Sequence, residues 1–169
     1  TVQDLTLGVK NLNAYKYTSL VKVSEELMDD AGFNLTSFVV EQLGERIARA
    51  TNAAFTTGSG SSQPEGIVGG SSLGKTAASA TAIAADEILD LIYSVNKAYR
   101  NSSSFGLMMN DSTVAAVRAL GLSVNNDFPV FVPSMQMGEP DRILRIPVYV
   151  NNDMAAIASG NKTIIAGDM

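Results

Sequence analysis

The chain has 169 residues, 46% of them apolar, with a net charge of -5 and neither Cys nor His. That length supports one domain with a real core or two small lobes, and the apolar content argues for folded structure over disorder. The missing Cys and His exclude disulfides, thiol catalysis, Ser-His-Asp machinery and most zinc chemistry. The acidic balance, without a cationic cluster, disfavours gripping nucleic acid by its phosphates.

The N-terminal TVQDLTLGVK lacks an apolar core flanked by basic residues, and no run approaches the ~18 apolar residues of a membrane span. Residues 13–23, NAYKYTSLVKV, alternate loosely between apolar and polar and predict a strand. Ser24 can cap a short helix, with Glu25 and Glu26 favouring its positive end. Asn34 is a good cap for the next helix, where Leu35, Val39, Leu43, Ile47, Ala50 and Ala54 recur at spacings of three or four. That stripe predicts a helix to about Thr57, and a charge at Ile47 should cost several kcal/mol if the stripe is core. Gly44 costs about 1 kcal/mol in a helix interior. It is either a point of close backbone approach or an indifferent position.

Between positions 58 and 74, eleven of seventeen residues are Gly or Ser, which marks a flexible connection and a boundary. Residues 86–99 then place Ile88, Leu91, Ile92, Val95 and Tyr99 on one helical face. Residues 104–109 read as a buried strand, Asn110 or Asp111 caps a helix through Leu120, and 147–150 and 163–166 read as strands. The stretch 121–140 holds two Asn, three Pro and two Gly and reads as a long irregular connection of the kind that is usually functional.

One motif suggests chemistry. Gly69, Gly74, Lys75 and Thr76, in GGSSLGKT, satisfy the phosphate-loop pattern, in which backbone amides cradle phosphates, Lys meets their charge and Thr holds magnesium. The context is poor, because only Ile67 and Val68 precede the motif where a buried strand belongs, and AASATAIAA after it makes a weak helix. Glu25, Glu26, Asp29 and Asp30 could hold a divalent cation, but a solvated helix face explains them more simply. Met108, Met109, Met135 and Met137 suit core or interface filling. No catalytic constellation, metal site or cofactor is expected.

Several segments together resemble one family in one order. VKVSEELMDD with the long helix, GSGSSQPEGIV with Gln63, Pro64, Gly66 and Ile67 in a Q-P-x-G-I motif, LMMNDSTVAAVRAL, and RIPVYVNNDMAAIASGNKTIIAGDM with its Pro147-Val148 and Asp153-Met154 steps are similar to the major capsid protein of HK97-type tailed phages. The resemblance implies an α+β capsid fold: residues 1–20 as the returning half of an extended arm, 21–75 as part of a peripheral domain with a spine helix, and 76–169 as part of an axial domain whose loop is 121–140. It implies a truncation at both ends relative to a full family member, and no enzymatic role.

The function so implied is structural. Copies of the chain would assemble as pentamers and hexamers into an icosahedral shell enclosing double-stranded DNA in a phage head, built in the bacterial cytoplasm with a portal, scaffold or protease as partners. An encapsulin-like nanocompartment shell shares the fold. A small phosphate-loop nucleotide-binding domain is the alternative from another class.

Overall fold

A computed structural model describes residues 13–30, 32–121, 131–132 and 141–169. The chain divides into two compact units, Thr1–Gly66 and Ile67–Met169.

In the first unit, residues 13–24 carry no regular structure, contrary to the expected strand. Side-chain alternation alone does not make a strand; a ladder partner does, and no described residue pairs with this stretch. Helix α1 (Glu25–Asp30) follows, with the Leu27 amide donating to Ser24 Oγ at 3.3 Å as the sequence predicts.

Helix α2 spans Leu35–Thr57, and Asn34 caps it by accepting from the Ser37 amide at 3.1 Å. The Arg49–Glu45 pair one turn apart is exposed and adds only a few tenths of a kcal/mol. The helix is where the periodicity places it, but its stripe is not a core: only Ala54 and Thr56 are buried. Along the stripe Leu35, Val39 and Leu43 are half-buried and Ile47 is 38% exposed, while Phe38 and Phe55, on other faces, are exposed. Periodicity identifies which face is apolar and leaves open what covers it.

The second unit is built on one sheet of order β2-β3-β4-β1-β5. Its elements are α3 (Ile67–Gly70), α4 (Ala85–Ser94), α5 (Lys97–Arg100), β1 (Phe105–Met109), α6 (Asp111–Gly121), β2 (Phe131–Val132), β3 (Arg142–Ile143), β4 (Ile146–Val150) and β5 (Ile164–Asp168). Strand β1 lies between a parallel neighbour, β4, and an antiparallel one, β5. Four of its five residues are buried and Met108 is half-buried, so both faces are covered, and a strand covered on both faces reads as a continuous apolar run, which is why FGLMM was legible. Phe105, Leu107 and Met109 form the core with Ile88 and Ile92 of α4, Val114 and Val117 of α6, Ile143 and Val148.

Asn110 joins two of these elements. Its Oδ1 accepts from the Ser112 amide at 3.0 Å and caps α6, while its Nδ2 donates to the carbonyls of Asn152 and Met154 at 3.1 and 2.9 Å. One side chain therefore fixes both the helix start and the turn carrying the Asp153-Met154 step, with Met154 buried. The helix expected over 86–99 is instead two. Asn96 interrupts it by accepting from the Ala98 amide at 3.0 Å, the local side-chain bond by which Asn competes with a continuous helix. Of the expected connection 121–140, Gly121 ends α6, Phe131 and Val132 form β2, and the rest lies outside the described residues.

Strands β3 and β4 are joined through Leu144 and Arg145, both at positive φ (48° and 72°). Two consecutive left-handed residues are what a two-residue hairpin turn of this hand needs, and Asn-Gly is the usual pair. Leu and Arg there are strained. Replacing Leu144-Arg145 by Asn-Gly should stabilise the folded chain by about 1–2 kcal/mol, read as a higher urea midpoint at unchanged slope.

Candidate functional site

The Q-P-x-G-I segment is a closed latch on the C-terminal end of α2. The Gly58 amide donates to the Ala54 carbonyl at 2.9 Å, and the Gly66 amide returns to donate to the Gly58 carbonyl at 2.9 Å. Ser59 and Glu65 pair as an isolated antiparallel bridge between them. The two glycines are set by space. A Cβ on Gly66 would stand 2.5 Å from both the Gly58 nitrogen and the Thr56 carbonyl oxygen, and one on Gly58 would strike the Pro64 and Ala54 carbonyl oxygens. Thr56, buried beneath, donates its hydroxyl to the Asn52 carbonyl at 2.7 Å. So the first half of the Gly/Ser run is not the flexible connection expected of it: composition reports conformational freedom, but here small size permits backbone to cross backbone.

The second half of that run carries the phosphate-loop residues, and their geometry is different from a phosphate cradle. Gly69 lies within α3, Gly74 and Lys75 follow in irregular backbone, and no helix resumes after Thr76 until Ala85. The segment instead straps across α4. Gly74 lies so near that an added Cβ would come 2.5 Å from Ser94 Oγ and 2.9 Å from Leu91 Cδ1. Lys75 Nζ pairs with Asp90 at 2.5 Å, which holds its charge on the helix and, by hydrogen bond first and charge second, raises its pKa. The G-K step is thus explained by packing on α4.

Glu87 fastens the other end of the strap. Its carboxylate accepts from the Ala84 amide at 2.9 Å and the Ala78 amide at 2.6 Å. With alanine at the cap of α4, only this reciprocal half of a capping box is possible. The bonds from Ala84 and then Ala78 hold the Glu87 pKa below the usual carboxylate range, because both donors favour the charged form. Opposite the strap, Lys162 Nζ donates to the carbonyls of Val68 and Ser71 at 2.9 and 2.6 Å, so it caps the end of α3. Between strap and residues 158–166 runs a groove of about 1100 Å³. Its two lysines are both engaged in holding backbone or α4.

The other residues singled out in the sequence do not converge. Glu25 and Glu26 stand exposed in the first turn of α1, and no group of three or more acidic residues among the described ones could hold a metal ion. Met109 is buried in the core and Met108 is half-buried on the sheet; Met135 and Met137 lie outside the described residues. Sequence reasoning missed the latch geometry and the Asn96 cap. The signal for the first was there: two glycines flanking a Pro just past the last turn of a long helix.

A sequence profile described as the phage capsid family matches residues 1–169. Among solved structures, the chain is similar to the capsid of a native GTA particle computed with C5 symmetry, at 27% identity and a TM-score of 0.68, covering 86% of this chain and 52% of that one. It is similar also to the capsid of an empty GTA particle, at 31% identity and a TM-score of 0.67, covering 86% and 53%. The chain therefore spans about half the length of the solved relatives it matches, and it has their α+β, HK97-like capsid fold. No curated protein matches it.

Two measurements test this local geometry. Gly66→Ala should cost about 1–3 kcal/mol by overpacking, whereas Gly44→Ala, where nothing lies within 4 Å of the new Cβ, should gain up to about 1 kcal/mol; equal effects in thermal melts would discard the latch. The depressed Glu87 pKa adds stability above the unfolded value of about 4.3, and this is lost as pH falls through the lower folded value. Protection of the Ala78 and Ala84 amides, measured against intrinsic exchange, should therefore fall as pH drops through the lowered Glu87 pKa, and Glu87→Gln should remove that pH dependence.

Proposed function

Because the chain belongs to the phage capsid family, we propose that it is a structural shell subunit whose full-length form associates with copies of itself into pentamers and hexamers. These close an icosahedral shell around double-stranded DNA in a phage head. The observation that carries this reading is the 23-residue α2 helix, roughly 35 Å long, whose apolar stripe is only partly covered in the described structure: Leu35, Val39 and Leu43 are half-buried, Ile47 and Ala50 exposed. A rigid strut with a partly covered apolar row suits contact with other copies better than independent life in water. The C5 symmetry of the solved relatives supports five-fold association.

On this reading residues 1–20 belong to an extended arm, 21–75 to a peripheral domain containing α1 and α2, and 76–169 to an axial domain containing the five-stranded sheet. The subunit works without a catalytic step or cofactor. Its acidic charge suits a container that encloses DNA without binding it tightly. A portal, a scaffold and a maturation protease complete the system, which assembles in the host cytoplasm.

Electron microscopy of the full-length protein tests the reading. Uniform closed shells are expected. A persistent small monomer contradicts the proposal, and shells filled with a protein cargo would replace the phage head by a nanocompartment. Because Ile47 is 38% exposed, Ile47→Asp should change subunit stability by no more than about 1 kcal/mol while abolishing shells. A large loss of subunit stability would restore the stripe to the core.

A further inference from the structure

A second cavity, of about 570 Å³, lies beside the β3–β4 hairpin, with Tyr93, Lys97, Arg100, Phe105 and Leu144 in its walls. Resting on the shell reading above, we propose that this pocket is a socket for an Asp or Glu side chain of a second copy of the chain, received by Arg100 and Lys97.

Four observations meet there. Arg100 lies with its guanidinium carbon 4.3 Å from the Tyr93 ring centroid, which fixes the plane of the fork and leaves its edge to bond. Its Nε is buried without a hydrogen-bond partner among the described residues, a rare state for a buried polar atom. Lys97 and Arg100 are the basic pair of the last turn of α5, and among the described residues no salt bridge engages either. Two like charges share a cavity that an anion would neutralise.

The hairpin supplies the fourth observation. Leu144, at φ 48° and 40% exposed, forms part of the wall. A strained non-glycine residue persists where the surrounding structure or a function over-determines it, and this one presents an apolar side chain beside two cations. Leu89 and Tyr93 continue that apolar wall in the open.

The chemistry selects the occupant. A planar guanidinium matches a carboxylate through paired N–H donors, and apolar walls strengthen such a pair by excluding water. Two cations are too few to track a nucleic-acid backbone, which takes a row of phosphate contacts. The carboxylate comes from the chain itself, since a net charge of -5 leaves every copy with surplus acids.

The test uses full-length shells assembled from isotopically heavy and light copies and treated with a zero-length carbodiimide, which joins amines only to carboxylates in contact. Lys97 should be recovered linked to an Asp or Glu peptide of the opposite label. Arg100→Gln should lower shell yield roughly tenfold or more with an unchanged subunit melt, and Arg100→Lys should restore part of it. Links only within one copy, no Lys97 link in well-formed shells, or wild-type yield from Arg100→Gln would overturn the socket alone. If Arg100→Gln melts early, Lys97→Gln on the exposed side of α5 replaces it with the same expected loss. Failure of the wild-type protein to form shells would overturn the shell reading and this inference with it.

Discussion

The second unit depends on the double burial of β1. Its two edges are taken by β4 and β5, and the face bearing Phe105, Leu107 and Met109 is covered by α4 and α6. Leu107 and Met109 have no exposed surface at all, so their burial contributes on the order of 2–3 kcal/mol each, and any slip in register would turn Gly106 and Met108 inward instead. The strap docks on a helix that β1 positions, the hairpin carrying Leu144 hangs from the strand beside it, and Asn110 at its end aligns α6 with the turn at Met154.

The first unit follows a different logic. Helix α2 gains little from burial within its own chain and relies on good local chemistry: a side-chain cap at Asn34, a backbone latch at Gly58 and Gly66, and an i,i+4 ion pair. Tertiary packing normally supplies most of a helix's stability. A long helix with a partly covered apolar row is, on the proposed reading, an interface that neighbouring copies would complete. The two units thus divide the work, one holding a core and the other offering a surface.

What the sequence made legible follows the same division. The runs with strong periodicity or strong caps, α2, β1, α6, β4 and β5, are where the pattern places them, because Ser24, Asn34 and Asn110 make the bonds that their residue types favour. Two-residue strands such as β2 and β3 have no period to read, and the break at Asn96 was hidden inside a continuous apolar stripe. The phosphate-loop match failed on geometry. Gly74 and Lys75 satisfy its spacing because a strap crossing α4 also needs a small residue followed by a cation facing Asp90. Composition misled in one more place: a Gly/Ser run signals freedom only when nothing crosses it, and at Gly58 and Gly66 the chain crosses itself. Exposure of the α2 stripe was beyond the reach of periodicity, which fixes the apolar face and says nothing of its neighbour.

The central claim is that the apolar row of α2 is covered by other copies while the β1 core is complete within each. Hydroxyl-radical footprinting of free full-length subunits against assembled shells measures both at once. The account predicts strong protection of Leu43 and Ile47 on assembly with Leu107 and Met109 unreactive in both states. Equal labelling of Leu43 and Ile47 in subunit and shell would contradict it.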